Sequence, residues 1–256
     1  MNQPKVVAFI PARMAASRFP GKPLALIAGL PMIEHVRRRV TLSEAVDEVV
    51  VATCDEEIKQ TVEAAGGVAV MTADTHERCT DRIAEAAEKV DCDVAIIVQG
   101  DEPLFLPEVL TRLVQPFRDA PGTEVTNLLS RIENRANLDH IDIVKAVLNE
   151  AGEVLYFSRA PIPFFRVEAN CPLYRQTGVS AFSRDFLLKF TILPPTPLEI
   201  VESVDFLRIL GHGHKIKGVI LDQPILGVDR PGDVAKVEAI LRDDPVQAAV
   251  HKKIAA

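Results

Sequence analysis

Residues 5–23 read Lys5-Val6-Val7-Ala8-Phe9-Ile10-Pro11-Ala12-Arg13-Met14-Ala15-Ala16-Ser17-Arg18-Phe19-Pro20-Gly21-Lys22-Pro23. The two halves of this stretch obey different rules. Residues 5–10 form an apolar run without the alternation expected of a strand that has one wet face. Such a run fits a strand covered on both sides, as in a parallel sheet between helices. Residues 11–23 gather two arginines and a lysine around a Pro-Gly turn, where forked guanidinium donors and an ammonium point charge can wrap a polyphosphate. This is not the P-loop pattern, because position 16 is alanine and Lys22 precedes proline instead of serine or threonine.

The same rhythm continues downstream. Apolar runs predict strands at 48–53, 68–72 and 93–98. Helical spacing predicts helices at 31–40, 56–65, 81–90 and 107–117, the second stopped by Gly66-Gly67 and the last opened by Pro107. Strand–helix alternation of this kind implies an α/β sandwich with a mainly parallel central sheet. After residue 122 the pattern changes. Segments 143–149 and 154–158 flank a hairpin signal at Glu150-Ala151-Gly152-Glu153, residues 161–172 are proline-rich and irregular, and 178–182 reads as a strand. Thr196-Pro197-Leu198-Glu199 is a capping box expected to open a helix running to about residue 210. A strand at 215–221 and a turn plus helix at 229–241 complete the reading.

Composition narrows the function. The chain has 256 residues, of which 48% are hydrophobic and 25% charged, the balance of an ordinary globular protein. A net charge of −7 argues against a nucleic-acid binder, which would carry a basic face. No run approaches the ~18 apolar residues of a membrane span, and the opening apolar run is too short for a signal peptide. Four cysteines, Cys54, Cys79, Cys92 and Cys171, make no zinc-type spacing. Free thiols and a cytoplasmic location are therefore expected.

Ligands of open α/β sheets bind beyond the carboxyl ends of the strands. The strand at 93–98 runs into Gln99-Gly100-Asp101-Glu102-Pro103, which delivers an acid suited to a hard metal or to capping a turn. Gly227-Val228-Asp229-Arg230-Pro231 has the same look, with Asp229 equally readable as a helix N-cap. Two aspartates and a basic loop make a coherent set for Mg²⁺-assisted nucleotidyl transfer.

The loop Pro11-Ala12-Arg13…Ser17-Arg18-Phe19-Pro20-Gly21-Lys22-Pro23-Leu24 resembles the signature of the CMP-Kdo synthetases, the 3-deoxy-manno-octulosonate cytidylyltransferases. So do His76…Thr80-Asp81-Arg82, Gln99-Gly100-Asp101-Glu102-Pro103, Val144-Lys145, Phe157-Ser158-Arg159-Ala160, Pro197-Leu198-Glu199 and Gly227-Val228-Asp229, in the family's order and spacing. The resemblance implies a GT-A-like fold with a smaller β-rich lobe, a homodimer built through that lobe, and Mg²⁺ dependence. It also implies transfer of CMP from CTP to the anomeric hydroxyl of a 2-keto-3-deoxy sugar acid destined for a surface glycan such as lipopolysaccharide. On this reading the chain is one nucleotidyltransferase domain, with residues 1–122 the nucleotide-binding half and 123–256 the sugar-binding and dimerisation half. By position, Arg13 and Lys22 would hold the triphosphate, and Arg82, Gln99 and the backbone near Ala12 the nucleoside. Asp101 and Asp229 would hold Mg²⁺, with Lys22, Arg13 and both aspartates serving the transfer. Arg159, Gln176, Ser180, Glu199 and Arg78 would form the sugar side.

Several positions depart from the family pattern. Arg78 and Cys79 stand where Ser-Gly is usual, and Arg175-Gln176-Thr177-Gly178-Val179-Ser180 replaces Arg-His-x-Gly-x-Tyr. Ile200 replaces a polar residue, Ala16 a serine and Asp142 an asparagine. Most of these changes fall on the sugar side; they fit either an acceptor related to Kdo but different in its polar pattern, or an ordinary CMP-Kdo synthetase whose sugar-side positions have drifted. Two rivals stand beside this reading. A sugar-1-phosphate nucleotidyltransferase would open with a Gly-rich stretch, absent between Ile10 and Arg13; a catalytically silent homologue would bind nucleotide without turnover. Elsewhere, His35 reads as a surface or packing histidine and Arg37-Arg38-Arg39 as the solvated side of a helix. His212-Gly213-His214 reads as an exposed loop, Glu199 as either a cap partner or a sugar contact, and Cys79 as lining the site without acting as a nucleophile.

Overall fold

A computed structural model describes residues 3–15, 18–221 and 226–255. Along the chain it places β1 (Val6–Ala12), β2 (Leu26–Ile27), β3 (Leu30–Pro31), α1 (Met32–Thr41), β4 (Glu48–Thr53), α2 (Glu56–Ala64), β5 (Val68–Met71), α3 (Cys79–Lys89), β6 (Val94–Ile97) and α4 (Val109–Asp119). There follow β7 (Val125–Arg131), β8 (Lys145–Leu148), β9 (Val154–Ser158), β10 (Tyr174–Ser183), α5 (Arg184–Ile192), α6 (Pro197–Glu202), α7 (Phe206–Gly211), β11 (Lys217–Leu221), α8 (Pro231–Asp243) and α9 (Pro245–Ala255).

The chain forms two compact units, one of residues 1–111 with 225–256 and the other of 112–224. The expected division at 122 cuts the chain once, whereas the structure returns the last segment to the first unit. In the first unit the strand order is β6-β1-β4-β5, every neighbour parallel. The apolar run of β1 is closed to solvent from Val6 to Ile10, as a central strand covered on both faces requires. A satellite core of Ile27, Met32, Leu104, Val228, Val237 and Leu241, with Phe19 packed against it, joins the segments that follow β1 and β6 to α8. In the second unit β7 lies between parallel β11 and antiparallel β10, and β8 pairs antiparallel with both β10 and β9. The β8–β9 hairpin is the one read from Glu150-Ala151-Gly152-Glu153.

Several expectations are corrected. The helix opened by Thr196 stops at Glu202 because Ser203 turns left-handed (φ 52), and a second short helix begins at Phe206. Pro107 precedes α4 by two residues instead of opening it. Asp229 is not the cap of α8; Arg230 holds that place, with Asp233 accepting from its backbone amide. Arg37 and Arg39 are buried, not solvated: Arg37 forks onto both oxygens of buried Glu34 at 2.7 Å. Gly67 makes room for this fork, since a Cβ there would lie 2.7 Å from Arg37 Nε. Of the two readings of His35 the packing one holds: it is fully buried, its Nε2 donating to the Ile27 carbonyl at 2.7 Å. Burial pushes the imidazole pKa down to about 4. His214 is not a bare loop residue either, because its Nδ1 pairs with Glu124 at 2.6 Å and its ring packs on Phe186.

Candidate active site

The site is built where the first unit's strands end. β1 delivers Pro11 and Ala12, and the chain closes a loop by a bond from the Gly21 amide to the Met14 carbonyl at 3.1 Å. Gly21 adopts φ +73, a conformation that disfavours a side chain. Asp55, just past β4, could cap α2, but its Oδ2 instead accepts from the Met14 amide at 2.8 Å and so ties the loop to the sheet. A short 3₁₀ turn at Lys22–Leu24 then presents Lys22. Ala16 and Ser17 of this loop lie outside the described residues.

Beside it, β6 runs into Gln99-Gly100-Asp101. A Cβ on Gly100 would sit 2.9 Å from the Pro11 carbonyl, so the close approach of these two strand ends requires glycine. The third segment enters from the far end of the chain: the Val228 amide donates to the Asp101 carbonyl at 2.8 Å. Lys22 Nζ closes the junction, donating to Asp101 Oδ2 at 2.6 Å and to the Val228 carbonyl at 3.0 Å. Three stretches distant in sequence are thereby locked around one ammonium group.

The fourth wall is the start of α3. Arg78 occupies its N-cap position without a side-chain cap bond, and Cys79 is its first residue. Gln99 Nε2 reaches Cys79 Sγ at 3.5 Å. Arg82 is buried, with Nη1 donating to Thr72 Oγ1 at 2.5 Å and to the Ala73 carbonyl at 3.2 Å, while Nη2 has no hydrogen-bond partner. The preceding loop is pinned by Glu85, whose Oε2 accepts from the Ala73 amide at 2.8 Å and meets His76 Nε2 at 2.6 Å. Lys89 first, and then the Ala73 amide and His76, hold the Glu85 carboxyl down to about 2.

Together these walls enclose a cavity of about 340 Å³ whose lining includes Ala12, Arg13, Arg18, Lys22, Arg78, Arg82, Gln99, Asp101 and Asp229. The structure thus gathers every expected nucleotide and metal residue, and Arg78 from the expected sugar side, around one opening. Arg13 and Arg18 are exposed and make no hydrogen bond among the described residues. Cationic groups predominate, which suits a ligand rich in phosphate. Sequence reasoning missed Asp55, Thr72 and Glu85, the groups that hold the loops. Asp55 and Thr72 stand just past the ends of β4 and β5, so the strand-end rule extended by two positions would have found them.

The other expected sugar residues lie in the second unit. Arg159 spends its guanidinium on the carbonyls of Glu202 (2.7 Å), Ile141 (2.8 Å) and Ser203 (3.3 Å). Gln176 is half-buried on β10, and Ser180 is closed to solvent opposite Asn127. Glu199 is fully buried: it completes the Thr196 capping box and takes a two-pronged bond from Arg208 at 2.6 and 2.8 Å. The expectation of a sugar contact at Glu199 is therefore corrected, because its carboxylate is enclosed by its structural partners. Lys145, also fully buried, donates to the His140, Ile143 and Arg159 carbonyls.

The Cytidylyltransferase family model matches residues 7–216. The chain belongs to the cytidylyltransferase family. It is 46% identical to the 3-deoxy-manno-octulosonate cytidylyltransferase of Myxococcus xanthus, covering 94% of this chain and 98% of the relative. It is 44% identical to the 8-amino-3,8-dideoxy-manno-octulosonate cytidylyltransferase of a Shewanella species, covering 91% and 97%. A solved structure of CMP:2-keto-3-deoxy-manno-octonic acid synthetase complexed with CTP superimposes with a TM-score of 0.90 at 40% identity, covering 94% of this chain and 99% of the other. The resemblance to the CMP-Kdo synthetases read from the motifs is thus matched over nearly the whole chain. The α/β nucleotidyltransferase fold is shared as well. This cytidylyltransferase is a nucleotidyltransferase enzyme, and the cavity at its strand ends is the place to seek the nucleotide.

Proposed function

We propose that the enzyme transfers CMP from CTP to the anomeric hydroxyl of Kdo or a closely related 2-keto-3-deoxy sugar acid, releasing pyrophosphate. The observation that carries this is Lys22, held between Asp101 and the Val228 carbonyl in a cavity lined by Arg13, Arg18, Arg78 and Arg82. In the transfer, the sugar hydroxyl releases its proton to water and its oxygen bonds to the α-phosphorus while the bond to pyrophosphate breaks, so the protein mainly positions reactants and offsets charge. Lys22 and Arg13 neutralise the phosphates, and Arg82, Gln99 and the Ala12 backbone hold the nucleoside. Arg82 Nη2 has the unfilled donor capacity for that task.

Mg²⁺ fits the acids present. Asp101 Oδ1 and the Asp229 carboxylate take no hydrogen bond among the described residues. Mg²⁺ characteristically keeps waters and shares one or two carboxylates with substrate phosphates; among the described residues no group of three or more His, Cys, Asp or Glu is placed to hold a metal. Asp101 and Asp229 would hold the ion, which when bound supplies charge neutralisation at the phosphate oxygens.

On the acceptor side, Arg78 contributes a guanidinium to the cavity. Relatives named for Kdo and for its 8-amino analogue match at 46% and 44%, so the acceptor is decided by experiment. A pyrophosphate-release screen of CTP and UTP against Kdo, 8-amino-Kdo, Kdn and sialic-type acids tests the reading. Turnover requiring CTP and one of the two octulosonates supports it; release with no acid, or with sugar 1-phosphates instead, overturns it.

The proposal includes a homodimer built through the second unit, supported by exposed Phe164, Val167, Ile192, Ile200 and Val201. Sedimentation of wild type and Val201→Glu tests it, a monomeric wild type being the contrary result. It also places the enzyme in the cytoplasm, supplying a surface glycan; no described helix is long and apolar enough to cross a membrane.

A further inference from the structure

The loop that carries Asp101 is held from a direction the reaction itself does not explain. After Asp101 the chain turns twice, by bonds from the Glu102 amide to the Gln99 carbonyl at 3.3 Å and from the Phe105 amide to the Glu102 carbonyl at 3.1 Å. Its next two carbonyls leave the sheet and are met by side chains far away in sequence. The Leu104 carbonyl accepts from Gln247 Nε2 on α9 at 2.9 Å, and the Phe105 carbonyl from Arg39 Nη1 on α1 at 3.1 Å. The same Arg39 Nη1 donates to Gln247 Oε1 at 2.8 Å. One amide therefore uses both its ends, accepting from a cation and donating to the loop.

Arg39 makes this arrangement demanding. Its side chain is fully buried, no carboxylate pairs with it among the described residues, and its Nε and Nη2 have no hydrogen-bond partner. A buried cation so sparsely partnered is strongly destabilised if it loses one more acceptor. Packing alone would not select it, since an aliphatic side chain fills such a place without the desolvation cost. What Arg39 adds is a directed bond to a carbonyl four residues beyond Asp101.

We propose that Arg39 and Gln247 are positioning residues for nucleotidyl transfer: they clamp the Leu104–Phe105 carbonyls and thereby fix Asp101 against Lys22. This rests on the functional reading given above. The cytidine-side walls formed by Ala12 and Arg82 stand on β1 and α3, outside the clamped loop, so loosening it acts on the rate of transfer more than on nucleotide affinity.

The test uses the full-length enzyme with Gln247→Glu and Gln247→Leu, and with Arg38→Ala as a comparison. Gln247→Glu keeps an acceptor for Arg39 and loses the donor to the Leu104 carbonyl; Gln247→Leu loses both. Arg38→Ala removes another tie to the same helix, the 2.7 Å bond from Arg38 Nη1 to the Ile254 carbonyl, and leaves the loop untouched. Expected is a fall in kcat of about tenfold for Gln247→Glu, with the KM for CTP within about twofold, and a larger fall for Gln247→Leu. Arg38→Ala should keep kcat within about twofold even where its melting temperature drops as far. Equal losses of kcat in Arg38→Ala and Gln247→Glu, or an unchanged kcat in Gln247→Glu, overturn the clamp.

Hydrogen exchange separates this from the functional reading, because it needs no substrate. Amides of 101–106 should exchange faster in both Gln247 variants than in wild type or Arg38→Ala. Unchanged exchange there overturns the clamp whatever the activity. A wild type that releases no pyrophosphate with any sugar acid, but shows the expected exchange, overturns the functional reading and its link to catalysis while leaving the clamp standing as a loop anchor.

Discussion

The charged residues that the motifs single out are treated differently in the two units. In the second, buried Glu199 and Lys145 are closed off by their own neighbours, the one by Arg208 and the other by three carbonyls. In the first, Arg13 and Arg18 make no hydrogen bond among the described residues, Arg82 keeps an unfilled donor, and the Asp101 carboxylate has one oxygen to spare. Asp55, placed to cap α2, is diverted to the Met14 amide. Polar capacity left unfilled at one place is capacity for a ligand; polar capacity fully used is architecture.

That contrast can be broken by mutation, and the largest expected effect lies in the second unit. Glu199→Ala leaves Arg208 buried without its acid and should cost about 3–5 kcal/mol in chemical denaturation. KM for the sugar acid in the folded fraction should be unchanged; a raised KM at unchanged stability would restore Glu199 to the acceptor site. Asp101→Asn in the first unit should do the reverse, lowering turnover roughly a hundred- to a thousandfold with little loss of stability. Pyrophosphate release near the wild-type rate would count against the aspartate's role.

These two residues also show how far the sequence could be read. Apolar runs at 48–53, 68–72 and 93–98 became β4, β5 and β6 because strands buried on both faces leave a hydrophobic trace. β7 left none: Thr126, Asn127 and Ser130 are buried polar residues whose side chains find partners such as the Leu113 and Val179 carbonyls, so the segment looks like a loop. α5 and α9 were missed as well, and the break at Ser203 depends on a left-handed turn that no pattern announces. The cavity was legible because strand ends converge by topology. Glu199 was not, because a motif names a residue but not its partner, and Arg208 sits nine positions on, across that break.

A smaller effect sharpens the account of the first unit's frame. His35 is buried with its pKa near 4, against 6.5 when exposed. The unfolded chain therefore takes up a proton that the folded one refuses, and stability is full above pH 6.5 and declines as pH falls toward 4, by about 3 kcal/mol in all. Urea denaturation of wild type and His35→Gln between pH 7.5 and 4.5 checks this; the variant should show a flatter dependence, and equal slopes would remove His35 from the account. The smallest effect is Ser183→Ala, which should cost about 1 kcal/mol by unfolding and leave turnover unchanged. A change in kcat there would blur the division between the units.

The most direct test of the central claim is hydrogen exchange of the wild-type enzyme with and without CTP. Protection is expected in the segments 11–24, 74–84 and 99–104, which line the cavity, with the amides around Glu199 and Arg208 unaffected. Protection confined to residues 112–224, in an enzyme that still releases pyrophosphate from CTP, would contradict it.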